Sequence, residues 1–211
     1  MKVCEIFVSI QGESSYAGLP SVFVRMSGCN LRCLYCDTTY AYDEGREMSE
    51  DEIFDEVSRH GVRLVEITGG EPLLQKEVFP LITRFLDDGF TLLLETNGSI
   101  STKDVDRRAI IIIDIKTPKS GMFGNMDLEN LGYLKRNDEL KFVISDRDDY
   151  EWVKRFIDTN RLFDKCKILL SPAHCLLSPE SLSRWMILDR LPARLNLQLH
   201  KYIYGDEARG V

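Results

Sequence analysis

Cys29, Cys33 and Cys36 lie within eight residues of one another in the stretch GCNLRCLYCDTTY, residues 28–40. Two thiols could form a disulfide, and four could close a structural zinc site. Three thiolates suit a soft metal or an iron–sulfur cluster. A cubane of four irons on three cysteines leaves one iron open to a ligand from outside the protein. The zinc alternative needs a fourth ligand from Cys4, Cys166, Cys175 or a histidine. It also lacks a second C-x2-C knuckle, because only Cys33 and Cys36 have that spacing. The spacing therefore favours the open cluster, with Cys4, Cys166 and Cys175 as packing residues.

The elements that must position this loop can be read from the rest of the chain. Its 211 residues suffice for a sizeable core, and 44% apolar with 29% charged residues is ordinary for a globular domain. A net charge of −7 argues against a nucleic-acid surface and offers no polybasic membrane patch. A small-molecule partner is expected. No apolar run approaches transmembrane length, and the opening residues MKVCEIFVSIQGE are unlike a secretory core. The expected location is the cytoplasm, where clustered thiols stay reduced and read as metal-binding or catalytic.

Apolar runs predict strands at 3–10, 21–27, 63–68, 90–96, 109–115, 139–145, 167–171 and 194–203. The run AIIIIDI is apolar enough to be buried on both faces. Helices are predicted over 49–61, capped by Ser49 and Glu52 and stopped by Gly61, over 73–89 with a bend or break at Pro80, over 146–161, and over 178–190 behind Ser178 and Pro179. A weaker helix is predicted over 128–136, interrupted by Gly132. Strand–helix alternation implies a mostly parallel α/β sheet in a single domain, 1–211. The chain is short for an eightfold barrel, so an incomplete, open parallel β/α barrel of about six units is expected. The cysteine loop, TGGEP (68–72), ETNG (95–98), DIKTPKSG (114–121), SPAHC (171–175) and LQLHK (197–201) all fall at or near C-terminal strand ends, which share one face in such folds.

The C-x3-C-x2-C spacing with Tyr35 before the last cysteine resembles the signature of the radical S-adenosylmethionine superfamily. The resemblance implies a [4Fe–4S] cluster on Cys29, Cys33 and Cys36, with S-adenosylmethionine chelating the open iron and cleaved on reduction to a 5′-deoxyadenosyl radical. TGGEP resembles the glycine-rich segment that meets the methionyl part of that cofactor; glycines allow such close backbone approach. Within the superfamily, IQGE (10–13), Arg25, CDT (36–38), TGGEP and the terminal LQLHKYIYGDEARGV resemble the 7-carboxy-7-deazaguanine synthases over nearly the whole chain. That family converts 6-carboxy-5,6,7,8-tetrahydropterin to 7-carboxy-7-deazaguanine with loss of ammonia, using S-adenosylmethionine catalytically and aided by Mg2+, on the route to queuosine.

The resemblance assigns substrate contacts to Ile10, Gln11, Gly12, Glu13, Arg25, Thr68 and His200, and to the terminal Val211 where relatives carry proline. Arg25 would pair with the substrate carboxylate, a task suited to a bidentate guanidinium. It places Gly70, Glu71, Thr117, Pro118, Lys119 and Ser171 at the S-adenosylmethionine site, with threonine at 117 where the family has serine. Thr38 would bind magnesium, with Asp37 as a rival ligand. A homodimer and a flavodoxin- or ferredoxin-type reductant are further implied. Two alternatives stand beside this reading: an activase that makes a glycyl radical on a partner protein, and a non-enzymatic iron–sulfur or zinc protein.

Overall fold

The computed structural model of the chain describes residues 1–205 and 208–211; Asp206 and Glu207 of the C-terminal run lie outside the described residues. Strand β1 (Lys2–Ile10) turns back through a loop into β2 (Pro20–Met26), and the two pair antiparallel. A short β3 (Arg46–Glu47) pairs antiparallel with β1. From β2 onward every neighbouring pair is parallel: β4 (Leu64–Gly69), β5 (Thr91–Thr96), β6 (Ile110–Ile115), β7 (Glu139–Ile144), β8 (Lys167–Pro172) and β9 (Arg194–Leu195). The sheet runs β3-β1-β2-β4-β5-β6-β7-β8-β9 and does not close, which is the expected open barrel.

Four of the parallel crossovers carry α-helices: α1 (Glu50–Arg59), α2 (Val78–Asp87), α3 (Arg147–Asn160) and α4 (Pro179–Leu188). Ser49 and Glu52 form the expected capping box on α1, and Asp146 and Ser178 cap α3 and α4. The single helix predicted over 73–89 is instead a 3-10 turn at Pro72–Leu74 followed by α2. Pro80 sits in the first turn of α2, where its missing N–H breaks no helical hydrogen bond, so it causes no bend. The helix predicted over 128–136 is a 3-10 turn, Leu128–Gly132, because so short a segment ending at glycine cannot offset the cost of helix nucleation.

The last strand is the largest departure. Leu195, Leu197 and Leu199 alternate as a strand would, but β9 stops at Leu195 and Leu199–Tyr204 form a helix, α5. The ladder ends where the Asn196 side chain is drawn inward, donating to Ser171 at 2.9 Å and accepting from the Ser14 amide at 2.7 Å.

Strand alternation sorts the residues onto two faces. Val65, Ile67, Leu92, Leu94, Ile113, Leu140, Phe142 and Leu170 join one core with Ile53, Phe85, Tyr150, Val153 and Leu182 of the helices. On the other face Leu64, Leu93 and Ile112 form a small apolar plug against Tyr16. The same strands carry Glu66, Glu95, Asp114, Lys141 and Ser171, and all five line the cleft on that face.

Glu66 is 3% exposed and accepts a hydrogen bond from the Gln11 side chain. Burial, then the nearby Glu95 and Glu13 carboxylates, push its carboxyl well above the ordinary range, against the pull of Lys141. Its proton stays on in the folded state at pH values where the unfolded chain has released it. Its contribution to stability is therefore full below the ordinary carboxylate pKa and is lost as pH rises toward the folded value. Glu66→Gln is expected to raise the thermal midpoint at about pH 8 and to bring no gain near about pH 4, measured by thermal denaturation. Phe142→Ala, in the main core, is expected to cost about 3–5 kcal/mol by chemical denaturation.

Candidate active site

The cysteine loop leaves β2 at its C-terminal end and is held there by backbone. The Gly28 amide donates to Ala41 at 2.8 Å, the Gly70 amide to Met26 at 3.1 Å and the Glu71 amide to Gly28 at 2.8 Å. A Cβ on Gly70 would lie 2.1 Å from the Gly28 carbonyl oxygen, and one on Gly69, at φ +145°, 2.2 Å from that of Met26. The glycine pair therefore lets the end of β4 press directly on the start of the cysteine loop. Leu34, between the second and third cysteines, donates its amide to Ser120 at 3.3 Å.

Cys29, Cys33 and Cys36 are free, partly exposed, and line one cleft of about 420 Å³. Cys29 Sγ accepts from the Leu31 amide at 3.4 Å and the Asn97 side chain at 3.7 Å. Burial raises the Cys33 thiol and the Lys116 ammonium opposes it. Cys4, Cys166 and Cys175 do not line the cleft. Cys166 is buried and pushed up to about 12, by burial and then by Asp138, as befits an unreactive packing thiol. Among the described residues no three His, Cys, Asp or Glu side chains converge on a single ion. A cubane, by contrast, takes each thiolate on a different iron, so three soft donors spread along one loop fit it.

Beside the cysteines the same cleft gathers Ile10, Gln11, Gly12, Glu13, Arg25, Thr38, Thr68, Gly70, Ser171, His200 and Val211, from both ends of the chain and the strands between. Arg25 and Thr68 are register partners on β2 and β4. Arg25 Nε donates to Glu5 at 2.7 Å, with its guanidinium 5.7 Å from the Phe7 ring and 6.0 Å from the Tyr40 ring. Tyr40 also donates to Glu5, at 2.9 Å, so one carboxylate orients both groups. Glu13 accepts from Lys141 at 2.9 Å, Gln198 at 3.0 Å and Asn196 at 3.2 Å. Burial would raise its pKa, but Lys141 holds it below the ordinary value.

His200 sits on α5, not on a strand, and packs on Gly12: a Cβ there would lie 2.2 Å from His200 Nδ1. The Leu199 amide donates to the Gly12 carbonyl at 2.9 Å. Burial lowers the His200 pKa, which favours a neutral imidazole. Thr38 donates to Asp37 at 3.0 Å, and Asp37 accepts from Lys201 at 2.6 Å and Gln198 at 3.1 Å. With its proton directed to Asp37, the Thr38 hydroxyl keeps lone pairs for a hard cation, while Asp37 is engaged in latching α5.

Four residues expected at the cofactor, Glu71, Thr117, Pro118 and Lys119, do not themselves border the cleft. Glu71 does not line the cleft: it is fully buried beneath it, accepting from Thr96 at 2.8 Å, the Asn97 amide at 2.7 Å and the Leu73 amide at 3.0 Å. It ties the loops after β4 and β5 together. Thr117 is buried and donates to Asp149 at 3.0 Å, capturing α3, while Pro118 and Lys119 are exposed and Lys119 pairs with Asp146 at 2.9 Å. Conversely, Glu95, Asn97, Asp114 and Lys116 line the cleft from the segments ETNG and DIKTPKSG expected there, while Glu66 and Lys141 line it without having been singled out. Their signal was a charged residue at alternate positions of otherwise apolar strands, which gains meaning only once the register is known.

Residues 23–161 match the sequence profile of the Radical SAM superfamily. The 7-carboxy-7-deazaguanine synthase of Koribacter versatilis is 45% identical over 226 residues, covering 100% of both chains. The enzyme of that name from Chlorobaculum tepidum is 45% identical over 215 residues, covering 100% of this chain and 97% of its own. The crystal structure of QueE from Escherichia coli shares the fold, with a TM-score of 0.78 at 23% identity over 93% of each chain. The chain thus has curated relatives over its full length, and it belongs to the 7-carboxy-7-deazaguanine synthase family of the radical SAM superfamily, an enzyme family whose cofactors are a [4Fe–4S] cluster and S-adenosylmethionine.

Proposed function

We propose that the chain converts 6-carboxy-5,6,7,8-tetrahydropterin to 7-carboxy-7-deazaguanine and ammonia. The observation that carries this reading is one cleft that brings Cys29, Cys33 and Cys36 together with Ile10–Glu13, Arg25 and Thr68. The reaction is redox-neutral, so a hydrogen atom removed from C6 can be returned after ring contraction. The cluster and S-adenosylmethionine supply the hydrogen-abstracting chemistry. The chain's residues bind and orient. Arg25, fixed by Glu5, has N–H donors beyond the one given to that carboxylate and would pair the substrate carboxylate. Gln11 and Glu13 would meet the N–H-rich ring, with Thr68 and His200 on its flanks and Val211 at the rim.

Gly70 and Ser171 would border S-adenosylmethionine. Thr38 would hold magnesium, its orientation set by Asp37. A single domain, a homodimer, a flavodoxin- or ferredoxin-type reductant and a cytoplasmic location belong to the same proposal. Among the described residues no helix is long and apolar enough to cross a membrane.

Anaerobic assay of the reduced, cluster-loaded protein with S-adenosylmethionine, magnesium and the tetrahydropterin is expected to give deazaguanine product in clear excess over 5′-deoxyadenosine. 5′-Deoxyadenosine without deazaguanine would sink the substrate assignment and favour an activase. Cys29→Ala is expected to lose cluster absorbance and turnover, while Cys166→Ala keeps both. Arg25→Leu is expected to lower kcat/KM at least about tenfold through loss of a charge-assisted pair, with the cluster spectrum unchanged.

A further inference from the structure

Lys141 lies on β7 in register with Asp114 of β6, and its side chain is 8% exposed. Its ammonium is 2.9 Å from Glu13 and 3.8 Å from Asp114, and it donates to Glu95 on β5. One buried cation thus joins the segment after β1 to two interior strands. The other charged groups facing this cluster are Glu66 on β4, Lys116 beyond β6, His200 on α5 and Arg25 on β2. Lys116 is committed to Asp114 at 2.7 Å. Arg25 is committed to Glu5. Without Lys141, Glu13 and Glu95 would lose the ammonium that both contact. Carboxylates crowded in a buried site do not all stay ionised, and one takes up a proton instead.

Resting on the function proposed above, we infer that Lys141 is a positioning residue for substrate recognition: it pins Glu13, facing the cleft, as an ionised acceptor for the N–H groups of an aminopyrimidinone ring. Arg25 then recognises the carboxylate end and the Lys141 cluster the ring end. Glu13 is further aligned by Gln198 and Asn196, which donate to it but carry no charge. These two amides orient Glu13 and the Gln198 bond also favours its ionised form, but the Lys141 ammonium is the larger influence holding it ionised against burial. Burial would lower the Lys141 pKa, but Glu13, Glu95 and Asp114 raise it well above the ordinary value, so the ammonium persists across the working range.

The test is fluorescence titration of cluster-loaded protein with oxidised pterin-6-carboxylate, which binds without turnover, between about pH 5.5 and 7.5. Wild-type affinity is expected to be flat over this range. Lys141→Met is expected to bind at least about tenfold more weakly at the acid end and to recover as pH rises and the carboxylates ionise, with S-adenosylmethionine affinity unchanged. Lys141→Arg, which keeps the charge, is expected to restore a flat profile. Lys141→Gln, uncharged but still a donor, carries the same test if the methionine variant fails to fold. Equal pterin affinity with a flat profile in the uncharged variants would overturn the role given to Lys141. So would a uniform, pH-independent loss of both ligands, which would mark a purely structural lysine. Failure of the wild-type protein to bind the pterin would instead overturn the substrate reading, and this inference with it.

Discussion

Charge enclosed by an open barrel has to be balanced within it, and the interior of this sheet is organised by that constraint. Glu66, Glu95 and Asp114 stand on adjacent strands above the Leu64–Leu93–Ile112 plug, and Glu13 reaches them from outside the sheet. Lys141 and Lys116 answer them, and Glu66 avoids the conflict by keeping its proton. Three carboxylates against two ammoniums leave the floor of the cleft acidic. Arg25, across the cleft on β2, is basic and already partnered by Glu5. Such a pocket is polarised from end to end. It suits a ligand with an anionic group at one end and N–H donors at the other, which is a stronger restriction than shape alone.

The cysteine loop is positioned by a different means. The backbones of β2 and β4 approach until no side chain fits between Gly70 and Gly28, and amide-to-carbonyl hydrogen bonds fix the loop's first residue. Glu71 completes the anchor by going under the cleft rather than into it. Three buried donors, the Thr96 hydroxyl and the Asn97 and Leu73 amides, hold the loops beyond β4 and β5 at the depth where the thiols sit. The motif TGGEP thus divides its work: Thr68 and Gly70 border the cleft, Gly69 permits the turn, and Glu71 secures it.

Much of this was legible in the residues. The cysteine spacing, the capping signals of α1 and α4 and the recurrent apolar runs are local, and each survives in the structure because tertiary packing agrees with it. The partners of the residues at 117–119 were not legible in the same way. Those residues follow a strand end as a site segment would, but Thr117 is captured by Asp149 and Lys119 by Asp146, partners some 30 residues further on. The interior charges were hidden for a related reason. A lone Glu or Lys in an apolar strand is uninformative until the strand order shows that neighbouring strands place theirs on the same face, two residues beyond Leu64, Leu93 and Ile112 in the case of Glu66, Glu95 and Asp114.

The C-terminal segment shows what local pattern cannot supply. Leucines at 195, 197 and 199 satisfy a strand's period, yet the chain leaves the sheet after two residues because Asn196, Gln198 and Lys201 find better partners in Ser171, Glu13 and Asp37. Glu13 and Gln198 are 185 positions apart. Each of these bonds joins an element that is polar in isolation to one that lines the cleft, so α5 gains its structure from the site as much as the site gains a wall from α5. His200 against Gly12 and Arg209 3.8 Å from the Tyr40 ring extend the same closure along the rim. A cleft finished by the last residues of the chain can reach its binding geometry only after the parallel strands between them have paired. Long-range order of this kind is slow to form but leaves the substrate-facing groups supported from both termini.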